Sequence, residues 1–107
     1  MLVRMAIFEG QVKPGREHAM RDYVTGNLKP LWEKFTGALE VKVLFGVQQD
    51  PTGPEIPCIL QITYADQTAM NQALDSAARY ESRDMLPGFY EQFFETVRLY
   101  HYVMEIA

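Results

Sequence analysis

His101 is one of two histidines in the 107 residues. It stands in an alternating run, Val97-Arg98-Leu99-Tyr100-His101-Tyr102-Val103-Met104. An imidazole titrates near neutrality, so this residue can serve as a general base or acid toward a small molecule. The competing reading is a core histidine hydrogen-bonded to Tyr64 or to backbone. Tyr64 closes the run Cys58-Ile59-Leu60-Gln61-Ile62-Thr63-Tyr64 and shares the parity of Leu60 and Ile62. Its phenol can orient a phenolic or quinone-like ligand, or close the core with its hydroxyl in water. His101 and Tyr64 are the catalytic candidates. Tyr23, Trp32 and Phe35 can wall an apolar cleft between a first helix and a sheet, or form an ordinary core stripe.

Other groups carry weaker signals. Glu9 shares the parity of Ile7 near a strand end, as a base with a raised pKa or as a solvated edge charge. Arg79 and Arg83 are one helical turn apart and can grip a carboxylate, or lie on a solvated face with Glu81 and Asp84. His18 beside Glu17 reads as solvated. Cys58 has the parity of Leu60, which points to a buried, inert thiol. The two histidines are far apart with no carboxylate at ligand spacing, so no metal site is expected. Gly46, Gly53 and Gly88 are isolated, so there is no phosphate-cradling loop, and no nucleophile elbow occurs. No cofactor is expected.

Composition bounds the frame that must position these groups. Apolar residues make up 48% and charged residues 22%, and the formal charge is −4. This is an ordinary globular composition with room for one core, so a single domain over residues 1–107 is expected. Without a basic cluster, nucleic-acid binding is disfavoured. No apolar run approaches the roughly 20 residues of a membrane span. Arg4 and Glu9 interrupt the first apolar stretch, against a signal peptide, and the single cysteine excludes an intrachain disulfide. A cytoplasmic location is the simplest expectation.

Residues 2–12 alternate and read as a strand. Lys13-Pro14-Gly15 is a turn, followed from Arg16 by a helix with Met20, Tyr23, Val24, Leu28 and Leu31 as its core stripe. Pro30 predicts a kink or break, with a short second piece carrying Leu31, Trp32 and Phe35 before Gly37 stops it. Residues 38–49 and 58–64 are strands, separated by a loop containing Pro51, Pro54 and Pro57. Asp66 caps a helix through Met70, Ala73 and Leu74, and Asp75-Ser76 ends it and starts another. Pro87-Gly88 argues against one continuous helix there. The last strand spans residues 97–104. The order β-α-β-β-α-β predicts a ferredoxin-like α+β fold, a four-stranded antiparallel sheet with helices on one face.

Parity assigns Val3, Met5, Ile7, Val41, Val43, Phe45, Val47, Leu60, Ile62, Val97, Leu99 and Val103 to the helix side. The other side collects Arg4, Phe8, Lys42, Leu44, Ile59, Gln61, Thr63, Arg98, Tyr100, Tyr102 and Met104. That side is too apolar for bulk water, so a homodimer is expected through Phe8, Leu44, Ile59, Tyr100, Tyr102 and Met104. The alternative is a monomer with a half-wet sheet.

Sheets paired face to face make a dimeric α+β barrel. Within that architecture the chain resembles the ethyl tert-butyl ether degradation (EthD) type. The resemblance rests on Tyr23, Pro30, Leu31 and Gly37 in the first helical region. It extends to Ala73-Leu74-Asp75-Ser76, Ala78-Arg79, Phe89, Phe93 and Glu105 later. Leu28 stands where that family usually has a histidine, and Val24 replaces a tryptophan. The resemblance implies a dimer that binds a small apolar or aromatic metabolite. The loss of the histidine favours a non-catalytic or accessory role. The alternative is a cofactor-independent enzyme, of monooxygenase or isomerase type, with His101 as general base.

Overall fold

The computed structural model describes residues 1–107. Strand β1 spans Leu2–Val12, β2 Glu40–Phe45, β3 Cys58–Tyr64 and β4 Phe94–Glu105. They form one antiparallel sheet in the order β2-β3-β1-β4. Helices α1 (Glu17–Tyr23) and α2 (Lys29–Trp32) follow β1, and α3 (Gln67–Leu74) and α4 (Ala77–Phe93) follow β3. Their apolar sides meet one face of the sheet. This is the ferredoxin-like arrangement expected from the element order.

Capping follows the residue chemistry. Asp66 accepts a hydrogen bond from the Ala69 N–H at 2.9 Å, and Ser76 accepts one from the Arg79 N–H at 3.4 Å. Each satisfies a donor that the first helical turn leaves free. Pro30 does not break its helix. Val24–Leu28 form a wider, π-type turn in which the Lys29 N–H donates to the Val24 carbonyl, five residues back. A proline ring clashes with the carbonyl four residues earlier in a regular helix, here that of Gly26, and the wider turn relieves the conflict. Helix α4 likewise runs unbroken through Pro87 and Gly88. Its apolar side, including Phe89 and Phe93, is buried, and tertiary packing of this kind outweighs local propensity.

The core lies between helices and sheet. Phe89 is fully buried and sits 5.2–6.0 Å from the rings of Phe8, Tyr23, Tyr90, Phe93 and Phe94. Its ring lies parallel to that of Tyr23, while Phe8 and Phe94 present edges. Gly10 lets β1 approach β4 closely: its φ is +153°, and a Cβ there would fall 2.0 Å from the Thr96 carbonyl oxygen.

The face assignment of β1 is the reverse of the sequence expectation. Phe8 and Ala6 are buried against the helices, with Arg4 on the same row. Val3, Met5 and Ile7 therefore point to the outer side, beside Gln61 and Tyr102 at Met5, and beside Ile59 and Tyr100 at Ile7. Both rows of β1 are apolar, so hydrophobic alternation cannot choose between them. Packing of Phe8 onto Phe89 fixes the choice. Phe8 is thus a core residue and not part of the outer surface. The parities expected for β3 and β4 hold; β2 ends at Phe45, short of residues 38–49, so Val47, expected on the helix side, lies beyond the strand and is exposed.

Candidate functional site

Two chemistry-bearing groups flank Arg4 on the helix side of the sheet: Tyr64 of β3, across from Leu2, and His101 of β4, across from Ala6. Arg4 pairs across to Ile62 on one side and Val103 on the other. Tyr64 and His101 are each two residues from those partners on the same face, so they are the diagonal neighbours of Arg4. Arg79, in the first turn of α4, lies close enough for its charge to act on both Arg4 and His101. The helices cover this end of the sheet incompletely: Val103 and His101 are exposed, and Arg4 and Arg79 are half-buried.

Tyr64 is fully buried, and its hydroxyl has no hydrogen-bond partner. An unpaired buried hydroxyl costs roughly 1–3 kcal/mol. Burial raises its pKa, an effect that the positive charge of Arg4 opposes. Arg4 is itself shifted down, first by burial and then by the Arg79 charge. Neither guanidinium forms an ion pair with a carboxylate. Glu105, on the helix-side row of β4 beyond Val103, engages neither, and Asp75 accepts the Tyr80 hydroxyl at 2.9 Å.

His101 is pushed down to about 4 by burial of one side of its ring against the protein, and then by the charges of Arg4 and Arg79. It is neutral at pH 7. A folded-state pKa below the unfolded value makes the unfolded chain bind more protons between the two. This group's contribution is fully present above about pH 6.5 and is lost as pH falls from there toward 4. The whole shift would convert to about 3 kcal/mol at 1.36 kcal/mol per unit. Because the residue is open to solvent on its other side, screening leaves about 1 kcal/mol. His101→Gln is expected to flatten the acid limb of stability by that amount, read from urea midpoints at pH 7 and pH 4.5. An unchanged limb would place the charge-sensitive group elsewhere.

The other candidates separate from this cluster. Tyr23 packs its ring on Phe89, and Trp32 and Phe35 are buried core residues. Leu28, at the position of the EthD-type histidine, is fully buried alongside Val24. Glu9 faces the outer side, where it accepts the Tyr100 hydroxyl at 3.1 Å and lies 3.8 Å from Arg98. His18 pairs with Asp22 at 3.3 Å on an exposed helix surface. Burial pushes the Cys58 thiol up to about 12, which removes it as a nucleophile at neutral pH. Arg79 and Arg83 lie over the same exposed Tyr80 ring, at 5.5 and 5.0 Å from its centroid. No group of three or more potential metal ligands is present.

Arg4 is the residue that sequence reasoning missed. The usable signal was a guanidinium in register with Ala6 and Phe8 on an otherwise apolar strand. A groove of about 690 Å3 lies elsewhere, between α1 and the end of the β2–β3 hairpin, lined by Met20, Arg21, Phe45 and Ile56 among others. Arg21 spans it by donating to the Gly46 carbonyl at 2.9 Å.

No family model and no curated protein matches the sequence. Solved structures do. An ethyl tert-butyl ether degradation (EthD) family protein from Bacillus halodurans aligns over all of this chain and 99% of its own, with a TM-score of 0.72 at 19% identity. A proposed antibiotic biosynthesis monooxygenase from Deinococcus radiodurans covers the whole chain and 93% of its own, with a TM-score of 0.63 at 13% identity. A dimeric protein of unknown function from Bacteroides fragilis, with a ferredoxin-like fold, reaches 0.55 at 8% identity over 96% of each chain. No helix is long and apolar enough to cross a membrane. The chain is a ferredoxin-like α+β protein whose whole length has the fold of an EthD family protein.

Proposed function

We propose that this protein is a homodimeric α+β barrel that binds a small apolar or aromatic metabolite on the helix side of the sheet, along the stretch from Tyr64 past Arg4 to His101, in a non-catalytic or accessory role. The observation that carries the reading is the Tyr64 hydroxyl: fully buried, unpartnered and beside Arg4. A ligand oxygen meeting it would remove an unsatisfied polar group, which rewards binding of an oxygenated aromatic body. The Bacteroides protein of the same fold is a dimer, and the outer side of the present sheet is an apolar surface of the kind that pairs. A single domain and a cytoplasmic location fit the same reading.

Catalysis with His101 as general base is the second reading, favoured by the neutral state of its imidazole at pH 7. A conjugate acid with a pKa of about 4 makes the free ring a weak base. Buried Leu28 offers no second imidazole.

Binding is tested by ligand-observed NMR against phenol, 1-naphthol and benzoate. The expected result is saturable binding of at least one probe, about tenfold weaker in Tyr64→Phe and in His101→Ala. No probe binding, or binding unaffected by both substitutions, would overturn the site. A burst of product from any bound probe, abolished by His101→Ala, would move the assignment to the enzyme.

A further inference from the structure

The groove between α1 and the β2–β3 connection lies at the opposite end of β3 from Tyr64. Its volume of about 690 Å3 is that of a small-ligand site, for which roughly 300–1,000 Å3 is usual. Met20, Phe45 and Ile56 give it apolar walls. Residues 46–57 form its outer side and are tied down by main chain. The Gly46 N–H donates to the Pro57 carbonyl at 3.1 Å, and the Gly10 N–H donates to the Glu55 carbonyl at 3.0 Å. Gly46 permits the approach, since a Cβ there would collide with the Ile56 carbonyl oxygen. These bonds hold the wall in place, so the groove exists before any ligand arrives.

The charged groups of the groove do not pair with one another. Glu17 and Arg21 both line it and stand four residues apart on α1. At that spacing Cβ atoms are about 5–6 Å apart, and opposite charges ordinarily meet. Here they make no ion pair. Arg21 turns instead to the end of β2. Its guanidinium stacks 5.2 Å from the Phe45 ring centroid, and its Nη2 donates to the Gly46 carbonyl at 2.9 Å. Those two contacts fix the fork and leave most of its donors free. Glu55 adds a second carboxylate from the connection, also in no ion pair. A simple carboxylate would satisfy Arg21 and be repelled by the two glutamates, and a simple amine would do the reverse. A ligand carrying both charges on one carbon satisfies both.

We infer that this groove binds an α-amino acid with an apolar or aromatic side chain. Arg21 holds the carboxylate, Glu17 holds the ammonium with Glu55 across the groove, and the side chain lies against Met20 and Ile56. The site is separate from the stretch between Tyr64 and His101 and does not depend on it. Leu44 and Ile59 also line the groove but belong to the outer side of the sheet, and no contact of the bound amino acid requires them.

The experiment titrates L-tryptophan, indole-3-propionate and tryptamine into the protein and follows the Phe45, Gly46 and Ile56 amides and the Arg21 Nε–H by NMR. The second probe lacks the ammonium and the third lacks the carboxylate. Tryptophan is expected to bind at least about tenfold tighter than either, because a site left with an unmet charge rejects the analogue without its partner. Arg21→Gln should lower tryptophan to the level of tryptamine, and Glu17→Gln should lower it to that of indole-3-propionate. Glu17→Gln keeps the bond from Arg21 to Gly46, so it remains informative if Arg21→Gln loosens the wall. Three equal affinities, a preference for either single-charge probe, or tryptophan binding unmoved by both substitutions would overturn the assignment. Tryptophan shifts confined to Tyr64 and His101 would do the same. So would the absence of any shift at the groove with tryptophan, phenylalanine and leucine alike.

Discussion

Tyr102→Asp is expected to yield a folded monomer. Tyr102 is 54% exposed on the outer side of the sheet, directly across from Met5 and edge-on to Tyr100 with ring centroids 5.8 Å apart. Around it lie Val3, Ile7, Ile59 and Met104, while Leu44 on the β2 edge is 44% exposed. Ile7 is already buried by its neighbours, but Leu44, Tyr102 and Met104 stay exposed in the protomer, and each large apolar side chain buried by a partner is worth about 1.5–3 kcal/mol. In a two-fold dimer the aspartate occurs twice, and each copy would be buried without a cation of its own. That costs several kcal/mol, so the dimer dissociation constant should rise at least ~100-fold. Sedimentation velocity across a concentration series reads the change, and an unaltered thermal transition of secondary structure at low concentration shows that the fold survives. A wild-type protein that sediments as a monomer throughout would remove the proposed dimer.

The largest effect on the protomer is expected from Phe89→Ala. The ring is fully buried and meets five other aromatic rings. Truncations of this kind cost about 3–5 kcal/mol, from lost transfer energy and from the cavity left behind. Natural domains hold only about 5–15 kcal/mol in total, so a third or more of the stability should go. The midpoint of thermal unfolding should fall by more than ~10 °C. Val47→Ala is the control: Val47 is 89% exposed, and its loss should stay within about 0.5 kcal/mol. A Phe89 variant as stable as the control would mean that the aromatic cluster does not hold α4 on the sheet. Because Phe89 also packs on Phe8, the same substitution tests which side of β1 faces the helices.

Much of this organisation was legible in order and spacing. The limits of β1 and β3, the caps at Asp66 and Ser76, and the βαββαβ order follow from local chemistry that the chain carries wherever it is. The proline expectations were less secure. Pro30 predicted a kink or a break because a regular helix cannot hold it; the helix is interrupted by a five-residue wide turn and then resumes. Pro87 is tolerated because the rest of α4 packs onto a deep core. In both places a tertiary gain outweighed a local penalty, and local sequence does not display that gain.

The candidate site shows the same division. Tyr64 and His101 could be placed on the helix side from alternation alone, since their strands each have one clearly more apolar row. Arg4 could not, because both rows of β1 are apolar and a one-residue change of parity exchanges them. Tyr23, Trp32 and Phe35 have the spacing of a cleft wall and of a core stripe alike, and the packing makes Trp32 and Phe35 core. By itself the sequence determined the element order, the caps and the apolar character of both sheet faces, because these arise from periodicity and side-chain chemistry within each segment. Only the tertiary structure decided which row of β1 is inside and which charged groups share one end of the sheet, because those depend on contacts between segments far apart in the chain.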